Sequence, residues 1–477
     1  MNKIKDFLSN KKIMRILIIL YGLLLIILHF TRIFDNSFWG DEVYSIRLAN
    51  MSLSDLVNAT AHDIHPPLYY MILKFFILIL GNAGWVYHLV SLIPFIMMVV
   101  VCSRIIYDDF NPWTSLITLT LCGTLYSSLY NIMEVRDYEW AALWMLLAAI
   151  YYLRILNFQK CPSNLKRNMI LFTIYALLAA YTFYYCIIAL SVMYIGLMIH
   201  AIKNKALLKK VIIIWASTFI IYLPWCITFF STLENNQNKI FKVSDPDIML
   251  CINFIFSSKF SYFLLTFLLL SIVFILIYSK DNVYKYWNIT CLLAFIMTIL
   301  VPLIIGFFKT PMLFYKHLYP CAILLWLLLA CNITKLPLKP FFISLIIILT
   351  VPFGLLSIKT TISDDKVVRQ KLAEFLNVMK DISPENDIII TNEDTFSPGT
   401  INYYFPHIST YLYDGTKENN ELITNTKAST VWIIDVDDLD NGGEMRKYCE
   451  DLGYKGTQLF DNGFFGNHIS DIWQYTK

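Results

Sequence analysis

The chain has 477 residues, of which 57% are hydrophobic and only 15% charged, with a formal net charge of +3. Soluble domains carry roughly 25% charged residues, so this is the composition of a polytopic membrane protein, and a charge so near neutral gives no basis for nucleic-acid binding. Ten cysteines, most of them inside apolar runs and none in paired spacing, give no disulfide framework and no zinc site.

In chain order, Met1–Arg15 is polar and basic and Ile16–Phe30 is apolar. His29, Thr31 and Arg32 follow instead of a small-residue cleavage site, so the segment reads as a retained first span rather than a signal peptide. Its basic flank places the N-terminus in the cytoplasm and the stretch Phe38–Tyr70 outside. That stretch packs Asp41, Glu42, Arg47, Asp55, Asp63 and His65 between apolar segments. Ionisable groups beside a membrane are costly unless water reaches them, which makes this stretch the leading functional candidate.

Leu68–Leu80 is apolar but falls short of the roughly 20 residues a crossing needs, and reads as a re-entrant or interfacial helix. Full spans are expected at Trp85–Ile106, Trp113–Tyr130, Trp140–Leu156, Met169–Tyr184, Cys186–Ile202, Val211–Phe230, Phe260–Tyr278, Trp287–Phe308, Leu318–Cys331 and Phe341–Ile358. The loops test this count. Arg154, Lys160, Lys166 and Arg167 share one loop, and Lys203, Lys205, Lys209 and Lys210 another. Lys280 with Lys285, and Lys335 with Lys339, mark two more. All fall on the cytoplasmic side if Leu68–Leu80 does not cross, so the positive-inside rule favours about eleven spans. Four polar stretches then share the outer face: Phe38–Tyr70, Tyr130–Tyr138, Tyr181–Tyr185 and Phe308–Tyr319. The loop Ser231–Ser258 also falls outside and is long enough to act as a lid.

Beyond Ile358 the composition turns polar, in a stretch of typical domain size. Val367, Val368, Leu372, Phe375, Leu376 and Met379 fit one helix face. Asp387–Thr391 and Thr430–Asp435 read as buried strands and Gly443–Leu452 as a helix. Thr457–Tyr475 reads as a hairpin turning at Asn462-Gly463. The expected architecture is an all-α polytopic membrane unit over 1–359, with an external loop 33–84, followed by a small extracytoplasmic α/β domain over 360–477.

Several residues have a chemical reading and a bland one. Asp41 and Glu42 can divide proton transfer and positioning, or simply cap a helix starting near Val43. His65, before two prolines, can meet a phosphate or a carboxylate, or anchor a span end. Glu134 and Asp137 share a face if helical and can hold Mg²⁺ or Mn²⁺ together with a loop carboxylate. Arg136 can pair with Glu134 or take a phosphate in its planar fork. Lys309, Lys316 and His317 can counter a departing phosphate, or snorkel. The run Asp435, Asp437, Asp438, Asp440 lacks EF-hand spacing and reads as a solvated loop.

Together, Trp39–Tyr44 (W-x-D-E-x-Y), Asp63–Tyr70 (D-x-H-P-P-L-Y-Y), Glu134–Tyr138 (E-x-R-x-Y) and the aromatic run Ala180–Tyr185 resemble bacterial members of glycosyltransferase family 39. This is a family of polyprenyl-phosphate-sugar-dependent transferases with the GT-C fold, to which protein O-mannosyltransferases and the aminoarabinose transferases of lipid A are related. The resemblance covers Ile16–Cys331. It implies inverting transfer of mannose or another hexose from a polyprenyl-phosphate donor to a glycan, lipid or protein hydroxyl, outside a bacterial plasma membrane. Asp41 would be the general base with Glu42 beside it. Arg136, Lys316, His317 and His65 would hold the donor phosphate, and Asp63, Tyr69, Tyr138 and Tyr185 would line the substrate site. Lys316-His317 and His88 stand where many relatives carry Arg-Tyr and Arg. The rival readings are a lipid-linked-sugar flippase or transporter, a surface-polysaccharide polymerase or ligase, and a sensor with an external ligand domain. The chain shows no similar halves of the transporter kind, and its ionisable groups cluster at one face.

Overall fold

A computed structural model describes residues 10–159, 162–235, 248–257, 261–308, 313–336, 356, 358–359, 366–367, 369–392, 397–413, 428–436, 442–465 and 468–477. Most of the expected span Phe341–Ile358 lies outside these residues. So do Lys309, Lys339, the centre of the loop Ser231–Ser258, and Asp437, Asp438 and Asp440. By its internal contacts the chain divides into two units, one of 1–34 with 52–361 and the other of 35–51 with 362–477.

The first unit is a multi-pass membrane helix assembly. Among the described residues, seven helices are long and apolar enough to cross: Lys11–Phe30, Gly84–Asp109, Tyr138–Leu156, Tyr184–Lys203, Lys205–Thr228, Asn282–Phe308 and Tyr315–Ile333. Shorter apolar helices cover Leu68–Leu80 and Leu264–Tyr278, and Leu165–Thr182 occupies the expected span Met169–Tyr184. The expected span Trp113–Tyr130 is interrupted. Pro112–Thr124 and Tyr126–Met133 meet at a 65° bend, because Leu125 is extended at φ −69°, ψ 148°. Carbonyls freed by such a break must find donors. Here the Ser128 hydroxyl and the Leu125 N–H both turn to the Leu121 carbonyl, at 3.3 and 3.4 Å.

Enclosure differs sharply from helix to helix. The apolar windows of Tyr138–Leu156 and Tyr315–Ile333 are 89% and 94% buried, against 17% for Lys205–Thr228. The first two form the centre of the unit. The last turns Ile213, Phe219, Ile220 and Ile227 outward, as a lipid-facing helix does.

The second unit is built on a five-stranded sheet of order β2-β1-β3-β5-β4, with β1 Asp387–Thr391, β2 Ser409–Leu412, β3 Thr430–Val436, β4 Lys455–Phe465 and β5 His468–Thr476. The three strands β2, β1 and β3 are parallel, and β5 and β4 join antiparallel. Both faces are covered, so β1 is buried at every position rather than alternating. Ile388, Ile390, Val431 and Ile433 pack with Met445 and Cys449 of helix Gly442–Asp451. Ile389, Trp432 and Ile434 pack with Leu372 and Phe375 of helix 369–378 and with Ile401 of helix Ser397–Tyr404. Asn462-Gly463 does not turn the hairpin. Both residues lie within β4, where the register shifts between Phe460 and Gly463, so a bulge accounts for this turn-like dipeptide.

Ile433 is fully buried on the Met445 face. Ile433→Ala is expected to destabilise the second unit by about 2–5 kcal/mol, the cost of lost burial plus a cavity. Loss of hydrogen-exchange protection along β3 in the full-length protein measures it.

Candidate active site

The backbone between the bent helix pair and the central helix is neither helix nor strand. Glu134 is extended at φ −75°, ψ 132°, and helix resumes only at Tyr138. Glu134 and Asp137 therefore do not share a helical face as expected, and each carboxylate meets a different cationic or imidazole partner.

Asp137 meets His65. Their side chains, 0% and 3% exposed, place Nδ1 3.0 Å from Oδ2. On the other side of the ring, Nε2 lies 2.8 Å from Nη2 of Arg136. A guanidinium can only donate, so Nε2 accepts and Nδ1 carries the proton that goes to Asp137. The imidazole is thus a neutral bridge between a buried carboxylate and a buried guanidinium. Pro66 and Pro67 fix the backbone after His65 and open the helix Leu68–Leu80.

Glu134 meets Lys316, whose Nζ lies 3.9 Å from Oε1 and donates to the Tyr130 hydroxyl at 2.9 Å. The same ammonium stands 4.9 Å from the centre of the Tyr130 ring. Lys316 belongs to the turn Tyr315–Leu318, which opens the other central helix. Both central helices thus begin with site residues.

Aromatic rings enclose the cluster. The His65 ring lies 5.5 Å from Phe183 and 6.4 Å from His317. His317 in turn packs on Tyr185 at 5.2 Å and Phe183 at 5.7 Å. Tyr138 stands under Arg136 at 5.8 Å. Two buried polar atoms here, Nδ1 of His317 and Oδ1 of Asp137, have no hydrogen-bond partner among the described residues. Asp63 accepts its neighbour's N–H from Ile64 at 2.7 Å, and the buried Tyr69 packs on Tyr70 at 5.5 Å. His88 hydrogen-bonds the Met133 carbonyl at 2.8 Å and holds the end of the helix that leads into the site.

Four residues near the cluster escaped the sequence reading as site residues: Tyr130, Phe183, Glu139 and Tyr319. Glu139 accepts the Tyr319 hydroxyl, and both are buried. Its position next to the E-x-R-x-Y run was the only signal.

Asp41 and Glu42 belong to the second unit. The helix Gly40–Asn50 starts earlier than expected, with both acids in its first turn, where they oppose the helix dipole. Glu42 is fully buried and accepts the Trp39 N–H at 3.2 Å, while Asp41 is half-buried. Arg369 approaches Glu42 with Nη2 at 3.4 Å and Nη1 at 3.5 Å. It also donates to the Ser37 carbonyl at 2.5 Å. The Tyr404 hydroxyl takes the Phe38 N–H at 2.7 Å and donates to the Phe38 carbonyl at 2.9 Å. Burial pushes the Tyr404 phenol well above its usual range, so it keeps the proton it donates.

The carboxylates of Glu134 and Asp137, the residues named for Mg²⁺ or Mn²⁺, face Lys316 and His65 respectively.

No family model and no curated protein matches the sequence. Solved structures do match. ArnT from Cupriavidus metallidurans in the apo state aligns with a TM-score of 0.61 at 9% identity, over 96% of this chain and 97% of that one. The same protein bound to undecaprenyl phosphate gives 0.58 at 9% identity, with the same coverage. The archaeal oligosaccharyltransferase AglB from Archaeoglobus fulgidus, in complex with an inhibitory peptide and a dolichol-phosphate, gives 0.51 at 11% identity, over 94% of this chain and 73% of that one. The chain has the GT-C fold.

Removing the acceptor of a buried hydrogen bond leaves its donor unsatisfied at a cost of about 1–3 kcal/mol. Asp137→Ala is expected to pay most of this and Asp137→Asn, which can still accept from His65, clearly less. Thermal unfolding of the two variants in detergent measures the difference.

Proposed function

We propose that this protein is an integral membrane glycosyltransferase that moves a sugar from a polyprenyl-phosphate donor to an acceptor hydroxyl outside the cytoplasm, with inversion. The observation that carries the reading is the pair of buried cations Arg136 and Lys316, the first held by the neutral His65, in a fold whose solved examples include one with undecaprenyl phosphate bound. A phosphate on a lipid tail is the ligand such a cluster suits: an anion that must be met at membrane depth by fixed cations.

One helix supports the sidedness of this reading. Tyr138–Leu156 carries the site at its start and Arg154 at its end, and its 19 residues span about 28 Å, close to the hydrocarbon thickness of a bilayer. Arg154 pairs with Asp109 at 2.7 Å, and Arg15 pairs with Asp108. The basic residues thus gather at the end away from the site, and the positive-inside rule supports a cytoplasmic placement of that end.

In the reaction, the acceptor hydroxyl gives its proton to Asp41, a role that rests on the sequence resemblance. Its oxygen forms a bond to the anomeric carbon as the bond from that carbon to the phosphate oxygen breaks. The lipid phosphate leaves with its charge met by Arg136 and Lys316, which act where charge develops. The neutral His65 keeps the Arg136 guanidinium in place without adding charge of its own. The sugar is mannose or another hexose and the acceptor a glycan, lipid or protein.

The test is release of free polyprenyl phosphate from a panel of polyprenyl-phosphate sugars by purified protein. One donor should turn over, and Asp41→Asn should lower the rate by about 10²–10⁴-fold, the usual worth of a general base. Arg136→Gln and Lys316→Gln should lower kcat in the same assay. Donor binding with no sugar release by the native protein, whatever acceptor is supplied, would favour a flippase. No binding of any lipid-linked sugar would end the reading.

A further inference from the structure

We infer that Glu42 and Arg369 form a positioning couple that fixes the helix start carrying Asp41, which makes the C-terminal domain a working part of the reaction. This inference rests on the proposed role of Asp41 as base. The sequence offers Asp41 and Glu42 as an acidic pair that can divide proton transfer and positioning, and the structure gives the two different surroundings. Consecutive helical residues point about 100° apart. Glu42 is turned fully inward and Asp41 is left half-buried beside it.

The inward carboxylate is held from two directions. Its own segment supplies the Trp39 N–H, and Arg369 supplies two guanidinium nitrogens at 3.4 and 3.5 Å. Arg369 then reaches along the approach to the helix, to the Ser37 carbonyl at 2.5 Å and to Asp35 at 3.8 Å. Tyr404 closes both backbone groups of Phe38, whose ring meets Tyr403 edge-on at 6.2 Å. Residues 35–42 are therefore gripped by side chains from two separate helices of the C-terminal domain. A carboxylate so placed is spent on structure, and the rigidity it gives passes to its neighbour. Without Arg369 the buried Glu42 charge must move or take a proton, and either shifts the helix start. A displacement near 1 Å at a reacting group can cost about 10²-fold in rate.

The test uses full-length protein in detergent, with the polyprenyl-phosphate sugar that turns over in the panel assay. Glu42→Gln and Arg369→Gln are each expected to lower kcat by roughly 10–100-fold and to leave the donor KM within about 2-fold, since positioning of the base acts on the chemical step. The double variant should be no slower than the slower single one, as coupled groups require. Arg369→Ala should regain part of its kcat in millimolar guanidinium, which a general loss of folded protein would not allow. Full activity in Glu42→Gln and Arg369→Gln, beside an inactive Asp41→Asn, overturns the couple and leaves Asp41 as the base. Loss in Glu42→Gln with Arg369→Gln fully active makes Glu42 catalytic and also overturns it. Rates that fall only in step with folded protein, with no guanidinium rescue, do the same. Turnover that persists in Asp41→Asn removes the base assignment and the couple with it.

Discussion

A guanidinium buried at membrane depth must be answered, and the answer given to Arg136 shapes the whole first unit. One partner is the nitrogen of a neutral imidazole, and the Asp137 carboxylate lies on the far side of that ring. The relay through His65 satisfies one N–H of the guanidinium while the positive charge stays on it. The same economy governs Lys316, whose hydrogen bond goes to a phenol at 2.9 Å while the carboxylate stays at 3.9 Å.

The surrounding architecture serves that condition. Two helices sit at the centre, nearly enclosed, and each begins at the site. Helix starts supply backbone N–H groups and positive dipole ends, which add to the local potential. Phe183, Tyr185 and Tyr138 pack around the His65 and His317 rings, and low-dielectric surroundings of this kind strengthen electrostatic contacts. The bend at Leu125 carries Tyr130 and Glu134 to the same place from a span that would otherwise have run straight past it.

Much of this was legible from the residues. Hydrophobic runs located the helices, because a span must be apolar over its length whatever its neighbours. The cluster residues were legible because ionisable groups at span ends are rare and stand out. Three things were not. The break at Leu125 leaves no proline or glycine at the residue itself, and it is stabilised by Ser128, an unremarkable residue in sequence. The Asn462-Gly463 pair carries the chemistry of a turn but was absorbed as a strand irregularity, since pairing with β5 outweighs local preference. The allegiance of residues 35–51 was hidden most completely. Their partners Arg369 and Tyr404 lie more than 300 positions away, and no periodicity connects them.

That allegiance sets an order of assembly. The Phe38–Tyr404 hydrogen bonds join residues 366 positions apart. A ribosome adding about 5–20 residues per second needs about 20–70 s to cover that distance. For all of that time the Asp-Glu helix is made but has no docking surface, while the membrane helices after it are already being placed. The protein therefore completes its acidic loop last, and a chain that stops short of its final domain leaves that loop unfolded. Truncation or stalled synthesis removes the Arg369 and Tyr404 side chains that hold the start of the Gly40–Asn50 helix.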